Sequence, residues 1–285
     1  MYTTLISAAD LAKNIEKLQW VVLDCRHDLA DTTAGQKAYD AGHLPNARFA
    51  HLDNKLSGAK TASNGIFHGR HPLPDKQEFI HTLRSWGVDD SSQVVAYDAH
   101  GGMFAARLWW MLRWVGHKGV AVLDGGIAAW TAENLPLTEK VPGPVRGGIN
   151  AKTSLVSQVN VADVLGNLAT SSRTLVDARA PDRFRGENET IDPVGGHIPG
   201  AKNRFFKDNL QANGRFKFPE QLRAEWGAIL PDSSKSIMQC GSGVTACHNL
   251  LALEVAGLPG AALYPGSWSE WSSEPARPVA TGCEA

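Results

Sequence analysis

The chain has 285 residues, 43% hydrophobic and 20% charged, with a formal net charge of −1. That length suits one or two domains with full cores, and the balanced charge gives no electrostatic reason to expect nucleic acid or an anionic membrane as partner. No apolar run approaches the roughly 18 residues of a membrane span.

The opening "MYTTLISAADLAKNIEKL" lacks the basic start of a signal peptide, so the expectation is a cytoplasmic protein. In chain order, the pattern predicts a helix over Leu11–Leu18, a strand over Trp20–Asp24, a helix over Lys76–Trp86, a strand over Gln93–Tyr97, a helix over Phe104–Val115 and a strand over Val120–Leu123. Residues 138–155, rich in Pro, Gly and charge without apolar periodicity, read as a linker. Beyond it the order repeats: helix Val161–Leu168, strand Thr174–Asp177, helix Glu220–Ala228, strand Ser236–Gln239, helix Val244–Ala256 and strand Ala261–Tyr264. Short β-branched strands separated by helices predict βαβ units, hence α/β domains, each with a mostly parallel sheet and helices on both faces.

The chain is written twice. "VVLDCRHD" (21–28) echoes "LVDARAPD" (175–182), and "AGHLPNA" (41–47) echoes "GGHIPGA" (195–201). "VVAYDAHGG…DGGIAAW" (94–130) echoes "SIMQCGSGV…PGSWSEW" (236–271), so matching blocks recur in order about 140 to 155 residues later. That period is too long for a solenoid and right for tandem domains: 1–137, then the linker, then 156–285. Duplication supplies an internal control, because a feature in both halves serves the fold and a feature in one half is a candidate for chemistry. His43 and His197, Trp130 and Trp271, and Asp24 and Asp177 occur in both, and structural roles are expected for them.

Cys240 is in one half only; its counterpart is Asp98. It ends a strand and is followed by "GSGVT" and then a helix, and ligands of parallel sheets bind beyond the carboxyl ends of strands. A glycine-containing strand-to-helix loop turns backbone N–H groups inward as an anion nest, and the helix dipole adds to it. Both favour thiolate over thiol, which makes Cys240 a nucleophile. The first domain should then be a scaffold without a nucleophile. Cys25, Cys247 and Cys283 are irregularly spaced, do not look like a disulfide framework, and fit reduced bystanders. A zinc site from Cys240, Cys247 and His248 fails on spacing. A cysteine protease would want a His and an Asn elsewhere in the chain. A cysteine phosphatase wants an arginine six residues after the nucleophile, where this chain has Ala246.

The tandem halves, the "GH(L/I)PxA" turns and "CGSGVT" at a strand end resemble the two-domain rhodanese-type sulfurtransferases over roughly Leu11 to Trp271. Loops of this type mark the branch of that family that takes 3-mercaptopyruvate, whereas animal thiosulfate enzymes carry Arg and Lys at the positions of Gly241 and Ser242. A loop without cations suits a donor whose charge sits on a carboxylate away from the sulfur, so a neutral loop is expected to favour mercaptopyruvate over dianionic thiosulfate.

The resemblance implies a serine–histidine–aspartate set from both halves: Ser242, His71 in "HPLP" with His68 as rival, and Asp53, ten residues after His43. It implies Arg183 as the arginine for the donor carboxylate. A second arginine expected further along is absent, and Arg185 or Arg179 is the candidate substitute. The expected cycle transfers sulfur through a Cys240 persulfide cradled by Gly241, Gly243, Val244 and Thr245 to a thiol (small, or on a thioredoxin-like protein) or to cyanide, with no metal or organic cofactor. Two alternatives stay open: thiosulfate:cyanide transfer by the same cysteine, and a persulfide carrier in sulfur trafficking.

Overall fold

The computed structural model describes residues 1–283. It divides into two compact units: residues 1–58, 74–155 and 210–216 form the first, and 59–73, 156–209 and the described residues from 217 on the second. Two segments therefore count with the unit opposite to the half in which the sequence places them. His71 lies on one of them, so it belongs with the second unit rather than the first.

The first unit holds strands β1 (Leu5–Ile6), β2 (Trp20–Asp24), β3 (Arg48–Phe49), β4 (Gln93–Tyr97) and β5 (Val120–Leu123), paired in the order β1-β5-β4-β2-β3. The second holds β6 (Ser157–Gln158), β7 (Thr174–Asp177), β8 (Lys202–Asn203), β9 (Ser236–Gln239) and β10 (Ala262–Leu263), in the order β6-β10-β9-β7-β8. Every pairing between these strands is parallel. The central strands β4 and β9 are buried throughout, which is why their apolar residues, Val94 to Ala96 and Ile237–Met238, are consecutive rather than alternating.

The helices follow local signals. Asp75 caps Lys76–Ser85 by accepting from the Gln77 and Glu78 N–H groups, and Asn160 with Asp163 forms a capping box on Val161–Thr170. Each such cap contributes about 1 kcal/mol. The helices after the central strands, Ala105–Trp114 and Thr245–Val255, are buried on nearly all sides. The expected helix over Leu11–Leu18 is wrong in position: the helix runs Ala8–Ala12 because the Ser7 hydroxyl caps it by accepting from Asp10 N–H. Leu18, the far end of the expected span, is fully exposed.

The shared features hold the two turns in the same way. Asp24 accepts from Arg26 N–H and pairs with its guanidinium at 2.6 Å; Asp177 does the same with Arg179 at 2.6 Å. His43 stacks on Tyr39 and His197 on Phe184, and each binds the carbonyl of its stacking partner through Nδ1. Trp130 donates to Pro136 O, and Trp271 to Pro278 O, both at 2.9 Å. These pairs are scaffold.

Candidate functional site

Cys240 sits at the carboxyl end of β9, in the middle of the second sheet, and is 2% exposed. Its N–H donates to Ser267 Oγ at 3.1 Å, and its carbonyl accepts from Trp268 N–H at 2.9 Å. Ser267 was not singled out by the sequence. It is held at φ +54°, a left-handed conformation that costs a side-chain-bearing residue about 1 kcal/mol or more. Its counterpart in the first unit is Gly126, at φ +58°, where the conformation carries little strain. The serine's hydroxyl, donating to Tyr264 O and accepting from Cys240, offsets that strain and fixes the backbone under the thiol.

The loop after Cys240 turns at Gly243 (φ +75°), where any Cβ would collide with Pro265 O. Gly241, Ser242, Val244 and Thr245 are all buried, and the 11-residue helix Thr245–Val255 begins at the end of the loop. Ala246, in the first turn, confirms that this cradle has no arginine of its own at that position.

His71 Nδ1 lies 2.8 Å from Ser242 Oγ, and both side chains are buried. The segment carrying His71 is pinned within the same unit: Arg70 N–H donates to Ser269 Oγ at 3.1 Å, and Gly69 at φ +100° packs on Gly266. His68 points elsewhere, with Nδ1 3.8 Å from Glu270 Oε1, and is partly exposed. Asp53 belongs to the first unit, in the short helix Leu52–Lys55, with its carboxylate 3.9 Å from His27 Nε2.

His27, His51 and Asp53 have ligand atoms within 4.8 Å of one another, the composition of a metal set. His51 Nδ1, however, accepts the Asp53 N–H and serves as a helix cap. A capping contact beside a 3.9 Å His–Asp approach describes a folded turn rather than a coordination sphere.

Arg183 stands near the loop with its guanidinium on Glu189 at 2.8 to 3.2 Å and on Asp192 at 3.4 Å. Neither proposed substitute for the missing arginine is available. Arg179 is locked on Asp177 and on Gly196 O, and Arg185 pairs with Glu187 at the surface.

The sequence missed Arg70. A Cβ built on Gly241 would come 2.8 Å from Arg70 Nη2 and 3.7 Å from Arg183 Nη2. Burial pulls the Arg70 pKa down, and the neighbouring Cys240 pulls it back up. The loop itself is neutral, but its surroundings are not: the Arg70 guanidinium lies where a side chain on Gly241 would go.

Of the other cysteines, Cys25 is buried, and burial together with Asp98 and Asp24 pushes its thiol far up. Cys247 donates to Gly243 O at 3.3 Å within the helix, and no cysteine among the described residues is in a disulfide.

Comparison with known proteins now bears on this geometry. The rhodanese-like domain family matches residues 7–133 and again 160–274. The chain belongs to that family. Rhodanese-type relatives include a probable 3-mercaptopyruvate sulfurtransferase of Pseudomonas aeruginosa, 46% identical over 98% of both chains. The mouse thiosulfate sulfurtransferase is 34% identical, over 95% of this chain and 92% of its own. The solved 3-mercaptopyruvate sulfurtransferase from Leishmania major has a TM-score of 0.84 at 29% identity, covering 95% of this chain and 74% of that one. The protein is a sulfurtransferase with two rhodanese domains.

Proposed function

We propose that the protein moves the sulfur of 3-mercaptopyruvate through a persulfide on Cys240. The observation that carries this reading is the placement of a thiol at the end of the central strand, beside a glycine loop, a His71–Ser242 pair and two guanidiniums. The Cys240 thiolate attacks the donor's sulfur, and the C–S electrons leave with pyruvate as its enolate, which then takes a proton. The outer sulfur stays on Cys240, within reach of the N–H groups of Gly241 to Thr245. His71 and Ser242 polarise the keto group or move the thiol proton, and Asp53 enters this reading as the third member from the family resemblance alone. Arg183 holds the donor's carboxylate. A thiol, small or on a thioredoxin-like protein, or cyanide then attacks the outer sulfur and releases Cys240, a ping-pong cycle. Residues 1–137 form the domain without a nucleophile and 156–285 the domain that carries Cys240, with His71 supplied to it by the segment 59–73. Among the described residues no helix is long and apolar enough to cross a membrane, and we read the protein as cytoplasmic.

Thiosulfate is the second reading, favoured by the guanidinium beside Gly241 and by the mouse relative. A donor panel separates the two, read by pyruvate release and by a gain of one sulfur atom in the protein mass. The kcat/KM for mercaptopyruvate is expected to exceed that for thiosulfate by about tenfold or more, roughly 1.4 kcal/mol. A preference for thiosulfate puts the second reading first.

A further inference from the structure

A carboxylate has acceptor sites for more than one guanidinium, and each charge-assisted fork adds strength and orientation. Arg183 supplies one. Within the same unit, Arg70 Nη1 contacts Asp192 Oδ1, while Arg183 Nη2 lies 3.4 Å from Asp192 Oδ2. One carboxylate of the protein thus spans two arginines whose Nη2 atoms border the Gly241 backbone next to the thiol. The Asp192 side chain is only 3% exposed, and the two arginines are about a fifth exposed, at 22% and 19%. Glu189 pins the backbone here by accepting from the Ile191 and Asp192 N–H groups, and it also holds Arg183. Glu189 is therefore the anchor, and Asp192 is the carboxylate that can be exchanged.

We infer that Arg70 is the second donor-binding guanidinium, closing with Arg183 on the carboxylate of the donor, and that Asp192 fills the place until the donor arrives. Glu189 pairs with Arg183, so without Asp192 the half-buried Arg70 guanidinium beside it would have no carboxylate in contact, a costly charge that Asp192 compensates in the free enzyme. Exchanging one carboxylate for another leaves the local charge balance unchanged, so the site stays arranged for a carboxylate before one binds. Gly241 is required in this arrangement because a side chain there would displace Arg70.

This inference rests on the mercaptopyruvate reading, and its test uses the full-length protein with two donors. Mercaptopyruvate carries the carboxylate; mercaptoacetone has the same keto and thiol groups without it. Arg70→Gln should raise the KM for mercaptopyruvate about tenfold or more, the loss of a charged hydrogen bond, with kcat changed far less. Its effect on mercaptoacetone KM should be far smaller, since that donor has no carboxylate to lose from the clamp. Arg70→Lys should fall between, since an ammonium keeps the charge but loses the fork. Asp192→Asn should lower the KM for mercaptopyruvate, the opposite sign.

If Arg70 merely pins the 187–195 segment through Asp192, both Arg70→Gln and Asp192→Asn raise the KM, and they do so for both donors. That result overturns the inference, as does an unchanged KM in Arg70→Gln. Should Arg70→Gln fail to fold, the Asp192→Asn sign and the Arg70→Lys KM decide. A wild-type protein that forms no persulfide from mercaptopyruvate sinks the donor reading and the clamp together; a working wild type beside an unaffected Arg70→Gln sinks the clamp alone.

Discussion

The two units end their central strands in loops of the same design, and the loops have been put to different uses. In the first, Asp98 turns its carboxylate back into the loop and accepts four backbone N–H groups, from His100, Gly102, Phe104 and Ala105, at 2.8 to 2.9 Å. In the second, the same strand position is Cys240, and the cradle has no carboxylate of its own at that place. The Asp98 loop demonstrates what such a loop binds: a compact anion at the mouth of a helix. One unit carries its anion covalently and is finished on folding, whereas the other has the Cys240 thiol at that position.

The largest effect should come from breaking the second loop at its one unique atom. Cys240→Ser is expected to abolish the mass gain on donor treatment and to cut turnover by at least on the order of 10³-fold, with melting unchanged, because a serine hydroxyl is a far weaker nucleophile at neutral pH. Sulfur transfer retained in that variant would show the wrong nucleophile.

Breaking the first loop should do the reverse. Asp98→Ala leaves four N–H groups without their acceptor and should cost about 3 kcal/mol or more, a fall in Tm of roughly 6 to 12 °C. The protein that remains folded should still form the persulfide. A normal Tm in Asp98→Ala means the carboxylate is not what the first cradle depends on.

The smallest effects belong to the bystander thiols. Cys25→Ser and Cys247→Ser should each leave kcat/KM within about twofold. The Asp98 and Asp24 charges that, with burial, hold the Cys25 thiol protonated should also slow its alkylation by iodoacetamide, as read by peptide mass.

Much of the frame was readable in advance, for physical reasons. β2, β4, β5, β7 and β9 carry apolar residues on consecutive rather than alternating positions, the pattern of parallel strands buried on both faces. The edge strands β1, β3, β6 and β8 escaped because two residues have no period to detect. Cys240 stood out by lacking a twin. Arg70 did not, although it adjoins His71, because its meaning depends on Gly241 and on an aspartate 122 positions away. Its trace in the sequence was negative: a glycine where related loops carry an arginine leaves a space that some other cation can enter. Ser267 left a similar trace, a serine aligned with Gly126 in a turn that needs left-handed backbone.

Residues 59–73 belong to the second unit but are encoded within the first half of the chain, between stretches that fold with the first unit. The duplication therefore cannot be undone by cutting at the repeat boundary. A fragment of residues 156–285 would keep the nucleophile and lose both the imidazole that meets Ser242 and the arginine over Gly241. The nucleophile-bearing unit is therefore not encoded by the second half alone: a gene for it would need fifteen codons from the half that has no nucleophile.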